Sequence, residues 1–507
     1  MRSANRWGVL VILSAALALI SLDNTIVNVA LPRLQEDLGA TTAQLQWVID
    51  AYSVMFAGTL LLAGSLGDRF GRKRMLVVGI LVFIVGSAGA AFVSDATALT
   101  GCRALMGVGG AFIMPSTLSI LVQVFPVPRE RAQAIGIWAA VAGVGVALGP
   151  IVGGLLLEHF SWHAVFLVNP PIAIAVLMAV VVLVPESRDP SEPRLDVLGA
   201  VLSGLGLVAL VTLVIEVPES GVSPTTVALA LAVLVLLGLF VWWERRVERP
   251  MLPLSLFRER LFTAAIITVG LVYFALMGAM FFLPQFLQLV DGMTPLESGL
   301  AVLPGAVGLL VASLVSPALA QRFGTRRIVV IGLSVVTIGM LLFSTLAADT
   351  PYAWVGITFA FVGLGLGLTL PQATNGVLAS VPHERAGMGS AVNDAVGELG
   401  GSFGVALLGA AMSITYRQNI EAAITAAGSD VDVLPPQALD AARESLAAAS
   451  IAAAQLPEQI AVVFREVAGR AYVAGMTWAL FIGAAITALG VLLAWRRFPA
   501  QVERVEE

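Results

Sequence analysis

Residues 64–75 read GSLGDRFGRKRM and set five charged side chains (Asp68, Arg69, Arg72, Lys73 and Arg74) within seven positions of a 507-residue chain that is only 12% charged. A fainter copy, LAQRFGTRRIVV, begins at Leu319. Aligning GDRFGRKR (67–74) with AQRFGTRR (320–327) matches Arg69, Phe70, Gly71 and Arg74 to Arg322, Phe323, Gly324 and Arg327, an offset of 253 residues. A second pair, VPRERA at 127–132 and VPHERA at 381–386, repeats at an offset of 254. Two separate loops recurring at almost one spacing mean that half the chain is duplicated.

The material between these loops is apolar. Hydrophobic residues make up 58% of the chain, against about 45–50% in soluble domains, and mean hydropathy is +0.93. Continuous apolar runs of about 20 residues suit helices that cross some 30 Å of hydrocarbon, where no backbone group can stay unpaired. Fourteen spans are read, at 8–30, 45–66, 75–93, 98–121, 133–157, 164–184, 195–217, 223–243, 261–288, 297–320, 327–347, 352–377, 386–413 and 472–495. The first follows Arg2 and Arg6 but lacks a small-residue cleavage site after its apolar core, so it reads as a retained span.

Of 28 Lys and Arg, 22 fall on the loops of one side and the short loops opposite carry only Arg33. The positive-inside rule then predicts that both termini are cytoplasmic, which an even number of spans satisfies. Net charge, −5, decides little, because its distribution outweighs its sum. The single cysteine, Cys102, excludes an intrachain disulfide.

The fold class expected is all-α and integral to the membrane: a six-helix bundle over 1–185, two inserted spans over 195–243, a cytoplasmic linker at 244–260 and a second six-helix bundle over 261–497 with an extracellular loop at 415–471. Paired bundles in parallel repeat, with a site between them near the midplane, describe a rocking secondary transporter. A channel more naturally sets identical subunits around a pore. An enzyme needs a catalytic cluster, and His159, His163 and His383 sit at loop edges far apart in sequence.

In the opening loop, Gly64 and Gly67 let helix ends approach closely. Asp68, an acid among bases, is expected to pair with arginines across the bundle in one conformation and to release them in another. That makes Gly64, Gly67, Asp68, Arg69, Gly71, Arg72 and Arg74 a candidate cytoplasmic latch. The second copy carries Gln321 in place of the acid, so the charged latch is expected on one side only.

At these residues the chain resembles the major facilitator superfamily, whose signature loop lies between spans 2 and 3. LDNTIVNVALP (22–32) resembles the span-1 motif of the fourteen-span drug:proton antiporters, and LTGCRALMGVGGA (99–111) their span-4 motif around an arginine, here Arg103. GVALGPIVGG (145–154), with Gly145, Gly149, Pro150, Gly153 and Gly154, is similar to the antiporter motif of span 5. WHAVFLVNPP (162–171) looks like the entry to span 6, with His163 where an arginine is commoner. The resemblance covers essentially the full length. It implies proton-driven efflux of drugs, with antiport tied to the span-5 motif.

Ionisable groups within spans are costly and are functional candidates. Asp23 lies nine residues before Pro32, while Asp50 and Arg103 lie about five residues from the outer starts of their spans, so at 1.5 Å per residue all three reach a similar level in the outer half. Arg103 is therefore expected to pair with Asp23 or Asp50, leaving one surplus carboxylate able to titrate. The resemblance places the proton-coupling acid at Asp23, and Asp50 where some multidrug members also carry an acid. Asp394 and Glu398, one turn apart on span 13, share a face and form a candidate cation-recognition pair; many members of the resembling family have a neutral or basic residue at the position of Glu398. With four acids against one arginine, the core is expected to favour lipophilic cations, with aromatic contacts from residues such as Tyr52 and Tyr273.

Glycines on span 5 and, in answer, Gly397, Gly400, Gly401 and Gly404 on span 13 suit close helix packing or hinging. The 415–471 segment reads as two short amphipathic helices broken near Pro457. One lysine against 27 arginines, with abundant alanine, suggests a GC-rich bacterial genome and a plasma-membrane location. No cofactor, metal or nucleic-acid partner is expected. The reading is a monomeric exporter of hydrophobic, cationic compounds driven by the proton gradient, the alternative being a dedicated exporter of one endogenous metabolite, antibiotic, lipid or siderophore.

Overall fold

The computed structural model describes residues 3–38, 42–188, 196–247, 250–348, 350–382, 385–427 and 434–500. His383 and residues 428–433 of the polar segment lie outside these. Among the described residues, fourteen helices are long and apolar enough to cross a membrane.

The first half comprises α1 (Ser3–Leu38), α2 (Thr42–Phe70), α3 (Arg72–Ala90), α4 (Ala96–Val124), α5 (Pro128–His159), the short α6 (His163–Leu167) and α7 (Asn169–Leu183). An inserted hairpin follows, α8 (Val197–Ser220) and α9 (Pro224–Glu244). The second half runs through α10 (Arg260–Gln285), α11 (Pro295–Ala301), α12 (Leu303–Phe323), α13 (Thr325–Phe343), α14 (Tyr352–Ala379), α15 (Ala386–Ala427), α16 (Pro436–Glu444), α17 (Leu446–Ala453) and α18 (Glu458–Arg497).

Local chemistry sets the helix ends. Asp95 accepts from the Ala98 N–H at 2.8 Å to start α4, and Ser223 with Thr226 forms a capping box ahead of Pro224 at the start of α9. Gly71 turns α2 into α3 at φ 113°, and Gly324 turns α12 into α13 at φ 91°. Both values lie in the region that L side chains avoid, so the duplication seen in sequence is repeated as one strained turn made twice.

The same two-fold pattern governs the bundles. On α5, Gly145 lies against Ala18 and Ser21 of α1, Gly149 against Thr25 and Gly153 against Ile26. On α15, Gly397 lies against Tyr273 of α10, Gly400 against Gly270 and Gly404 against Phe274. Each stripe of small residues thus seats its helix on the first helix of its own half. Pro150 and Gly154 face away from α1 and meet Gly299 and Leu296 of the second half. The inserted α8 is wedged beside both halves: Gly58 of α2 backs onto Gly204 and Val208, and Val54, Ala57, Val211 and Leu399 share one apolar cluster.

Arg6 pairs with Glu130 at 3.6 Å, and the Arg326 guanidinium donates to the Phe498 carbonyl. Arg6 and Phe498, near the two limits of the described residues, therefore lie beside the duplicated loops, on a side termed the terminal face.

The 415–471 segment corrects the expectation of two short helices on either side of Pro457. Both short helices, α16 and α17, precede Pro457, and the residues beyond it are the opening turns of the 40-residue α18. Likewise α15 continues to Ala427, 42 residues in all. Alanine, the best helix former, lets both spans stay helical beyond the apolar run. Arg443 of α16 ties this region together, donating to Glu421 of α15 at 2.8 Å.

Candidate functional site

Asp23 of α1 and Arg103 of α4 are 0% and 1% exposed. Arg103 donates from Nη1 to Asp23 Oδ2 at 2.6 Å and from Nε to the Val48 carbonyl of α2 at 3.2 Å. Its guanidinium lies over the Tyr52 ring, 4.6 Å from the centroid. The other carboxylate oxygen, Oδ1, accepts from Asn169 Nδ2 of α7 at 2.7 Å. Three helices meet at one buried carboxylate, and Arg103 ties α2 to it as a fourth. Of the two acids open to Arg103 on sequence grounds, the salt bridge goes to Asp23. Asp50 lies half-buried on α2 and makes an interaction of its own.

A second acidic position lies on α15. Asp394, 2% exposed, accepts from its neighbour Asn393 at 3.0 Å. Glu398, one turn on, lies against the Ser53 hydroxyl of α2 and so faces the first half. The Tyr273 ring of α10 packs on Gly397 between them.

The third feature is the seam between the halves on the terminal face. Asp68 is 4% exposed. Its Oδ1 accepts from Arg72 Nε at 3.0 Å and Nη2 at 2.7 Å. Across the seam, Oδ1 also accepts from the Gly387 N–H at 2.9 Å and Oδ2 from the Met388 N–H at 3.0 Å. Those are the opening residues of α15, whose N–H groups have no acceptor within the helix and carry the positive end of its dipole. Asp68 was expected to reach arginines across the bundle. Its arginine is instead in its own loop, and the cross-bundle partner is backbone.

The remaining loop residues have separate tasks. Gly64 presses on Gly387 and Ala391, where a side chain would collide. Gly67 lies against the Arg72 stem. Gly71 makes the turn under the Glu186 carboxylate, Arg74 reaches that carboxylate at 3.7 Å, and Arg69 covers Phe70. Arg72 donates its N–H to the Ser187 carbonyl at 2.8 Å. The loop thus anchors on the end of α7 while Asp68 reaches across to α15.

A sequence profile of the Major Facilitator Superfamily matches residues 13–405. The chain belongs to the major facilitator superfamily. It is 39% identical to the multidrug efflux pump LfrA of Mycolicibacterium smegmatis (strain ATCC 700084 / mc(2)155) over 497 residues, which cover 97% of this chain and 96% of that protein. It is 33% identical to the tetracenomycin C resistance and export protein of Streptomyces glaucescens over 506 residues, 96% and 91% of the two chains. Among solved structures, the human organic anion transporter MFSD10 superposes with a TM-score of 0.61 at 14% identity, covering 96% of this chain and 99% of that one, a likeness of fold.

For this superfamily member, sequence reading named Asp23, Arg103 and Asp68 and offered Asp23 as one of two partners for Arg103, but it did not name Asn169, Gly387 or Met388. Asn169 was in plain view in WHAVFLVNPP, an amide at membrane depth beside two prolines, and that misplaced polarity was its signal. Gly387 and Met388 act through backbone and leave none. Arg131, 2% exposed, bridges the seam to Asn375 of α14 at 3.4 Å; its place in the repeated VPRERA was the available clue.

Proposed function

We propose that the chain is a proton-coupled antiporter that exports hydrophobic, cationic compounds across a bacterial plasma membrane, with its terminal face in the cytoplasm. The observation that carries this is the fully buried Asp23–Arg103 pair. A carboxylate sealed from solvent at the junction of four helices exchanges its proton only when those helices rearrange, which is what coupling proton entry to export requires. Asp394 and Glu398, facing the seam, are the acids assigned to cation recognition, with Asp50 shared between the two tasks. The Asp68 clasp closes the terminal face while loading from the cytoplasm is over. The transporter works as a monomer and needs no cofactor beyond the proton gradient.

The test uses everted vesicles energised by respiration. Adding a lipophilic cation to vesicles holding the wild-type chain is expected to release protons from the lumen. Asp23→Asn is expected to abolish uphill export with the protein still in the membrane, and export unchanged in that variant removes Asp23 from the coupling role. The likeness to a tetracenomycin C export protein favours a second reading, a dedicated exporter of one product. A panel of unrelated cations separates the two: broad efflux supports the first, a single accepted compound the second.

A further inference from the structure

We propose that Asn169 is a positioning residue for the proton on Asp23, holding the carboxylate through Nδ2 and, after its amide rotates, accepting from the carboxylic acid through Oδ1. This rests on the coupling role proposed for Asp23.

Both oxygens of Asp23 are already taken by donors, Oδ2 by Arg103 at 2.6 Å and Oδ1 by Asn169 at 2.7 Å, in a residue that is 0% exposed. A proton arriving there meets only N–H groups. The O–H of the acid then needs an acceptor. Arg103 cannot be one, since a guanidinium offers donors alone. Asn169 can, since an amide carries two donors at one end and an acceptor at the other.

The surroundings of Asn169 are arranged for that exchange. Its Nδ2 also donates to Ser87 Oγ of α3 at 3.1 Å, and Ser87 donates to the Phe166 carbonyl at 2.9 Å. Asn169 Oδ1 is buried with no hydrogen-bond partner, in a protein where most buried polar atoms are satisfied. Half a turn of the amide brings Oδ1 to face Asp23 and Ser87, and a rotating hydroxyl serves either arrangement. One end of the amide lacks a partner in each state, Oδ1 beside the carboxylate and Nδ2 beside the acid. The amide therefore fits both charge states of the acid.

The other groups around Asp23 do not offer this choice. On α2, Tyr52 lies beneath Arg103 and Asp50 has an interaction of its own. On α6, His163 stacks on Trp162 and meets Ser161. From α5, glycines and the Val146 carbonyl, which accepts from Thr25, face α1.

The experiment measures export of tetraphenylphosphonium by the full chain in proteoliposomes from pH 5.5 to 8.5, together with the carboxylic-acid stretch of Asp23 in difference infrared spectra, assigned by its loss in Asp23→Asn. Asn169→Leu removes a charge-assisted bond to the carboxylate that is stronger than the neutral bond the amide makes to the acid, so the pH of half-maximal export is expected to move about one unit alkaline. The infrared band is expected to shift as its acceptor disappears, with KM for the cation unchanged. Asn169→Gln, which keeps both ends of the amide, is expected to restore the midpoint. Should the leucine variant not accumulate, Asn169→Ala carries the same expectation. Slower export at every pH with an unmoved midpoint and an unmoved band overturns the proposal in favour of a purely structural role. If Asp23→Asn itself sustains uphill export, the coupling reading falls; if that variant is dead while Asn169→Leu shifts neither readout, only this inference falls.

Discussion

The seam formed by α2 and α15 and the seam formed by α12 and α5 occupy equivalent places in the duplicated fold, yet they are joined by different physics. At the first, a buried carboxylate grips the start of a helix, with Asp68 held by Arg72 and bonded to Gly387 and Met388. At the second, Gln321 stands at the equivalent position and is exposed, while Gly136 presses on the Ser313 carbonyl and Gly143 on Leu309. Close packing serves both seams, and Arg131 of α5 reaches Asn375 beside the second, but only the first sets a buried carboxylate on a helix start. A charged contact can be exchanged for water when the helices part, whereas a stack of small residues releases only by losing its fit. The duplication therefore supplied two similar edges, and a single buried acid sets one of them apart.

The strongest way to break this comparison is Asp68→Ala. It strips two N–H groups of their acceptor and leaves Arg72 with its charge buried, a loss of about 3–5 kcal/mol for a broken buried pair. Export is expected to collapse, and spin labels placed on α2 and α15 at the terminal face are expected to report a wider, open population. Unaltered distances would mean that Asp68 does not hold the face shut.

A smaller effect is expected from Gly64→Val, whose Cβ would sit 2.6 Å from the Gly387 carbonyl and 2.7 Å from Ala391. Overpacking of this kind costs about 1–3 kcal/mol. Gly136→Val, with 2.6 Å to the Ser313 carbonyl, imposes a similar clash at the other seam. The two are expected to differ in spin-label distance, with the first opening the terminal face and the second lowering the melting temperature without opening it. Equal opening in both erases the asymmetry. The smallest expected effect is that of Gln321→Ala, an exposed change worth under about 0.5 kcal/mol, read as unchanged melting and export; a marked loss there reveals work at the second seam that the structure does not assign.

Much of this was legible in the sequence. Span number followed from apolar runs, because lipid imposes one helix length on each crossing. Asp23 and Arg103 stood out because charge is rare in such runs. Gly71 and Gly324 marked the repeat because their turns demand positive φ. What stayed hidden depends on partners supplied by backbone or by distant neutral side chains. Nothing in Gly387 or Met388 announces an anion grip, since every helix start has free N–H groups. Asn169 differs from any polar cap only through the carboxylate it meets 146 residues away. The polar segment was expected to hold two short helices broken near Pro457, whereas the spanning helices α15 and α18 themselves extend into it, as its alanine content favours. The position of α8 against both α2 and Leu399 rests on shape alone, in a helix whose composition says only that it is apolar.

The length of α15 has mechanical meaning. At 42 residues it is a rod of roughly 60 Å, about twice the hydrocarbon thickness, and its first turn is what Asp68 holds. A pivot of about 10° at that end sweeps the far tip through about 10 Å, carrying α16, pinned there by Arg443, along with it. The small cap is thus the tip of a pointer, and a fluorophore on it would read each stroke of the machine from the opposite side of the bilayer.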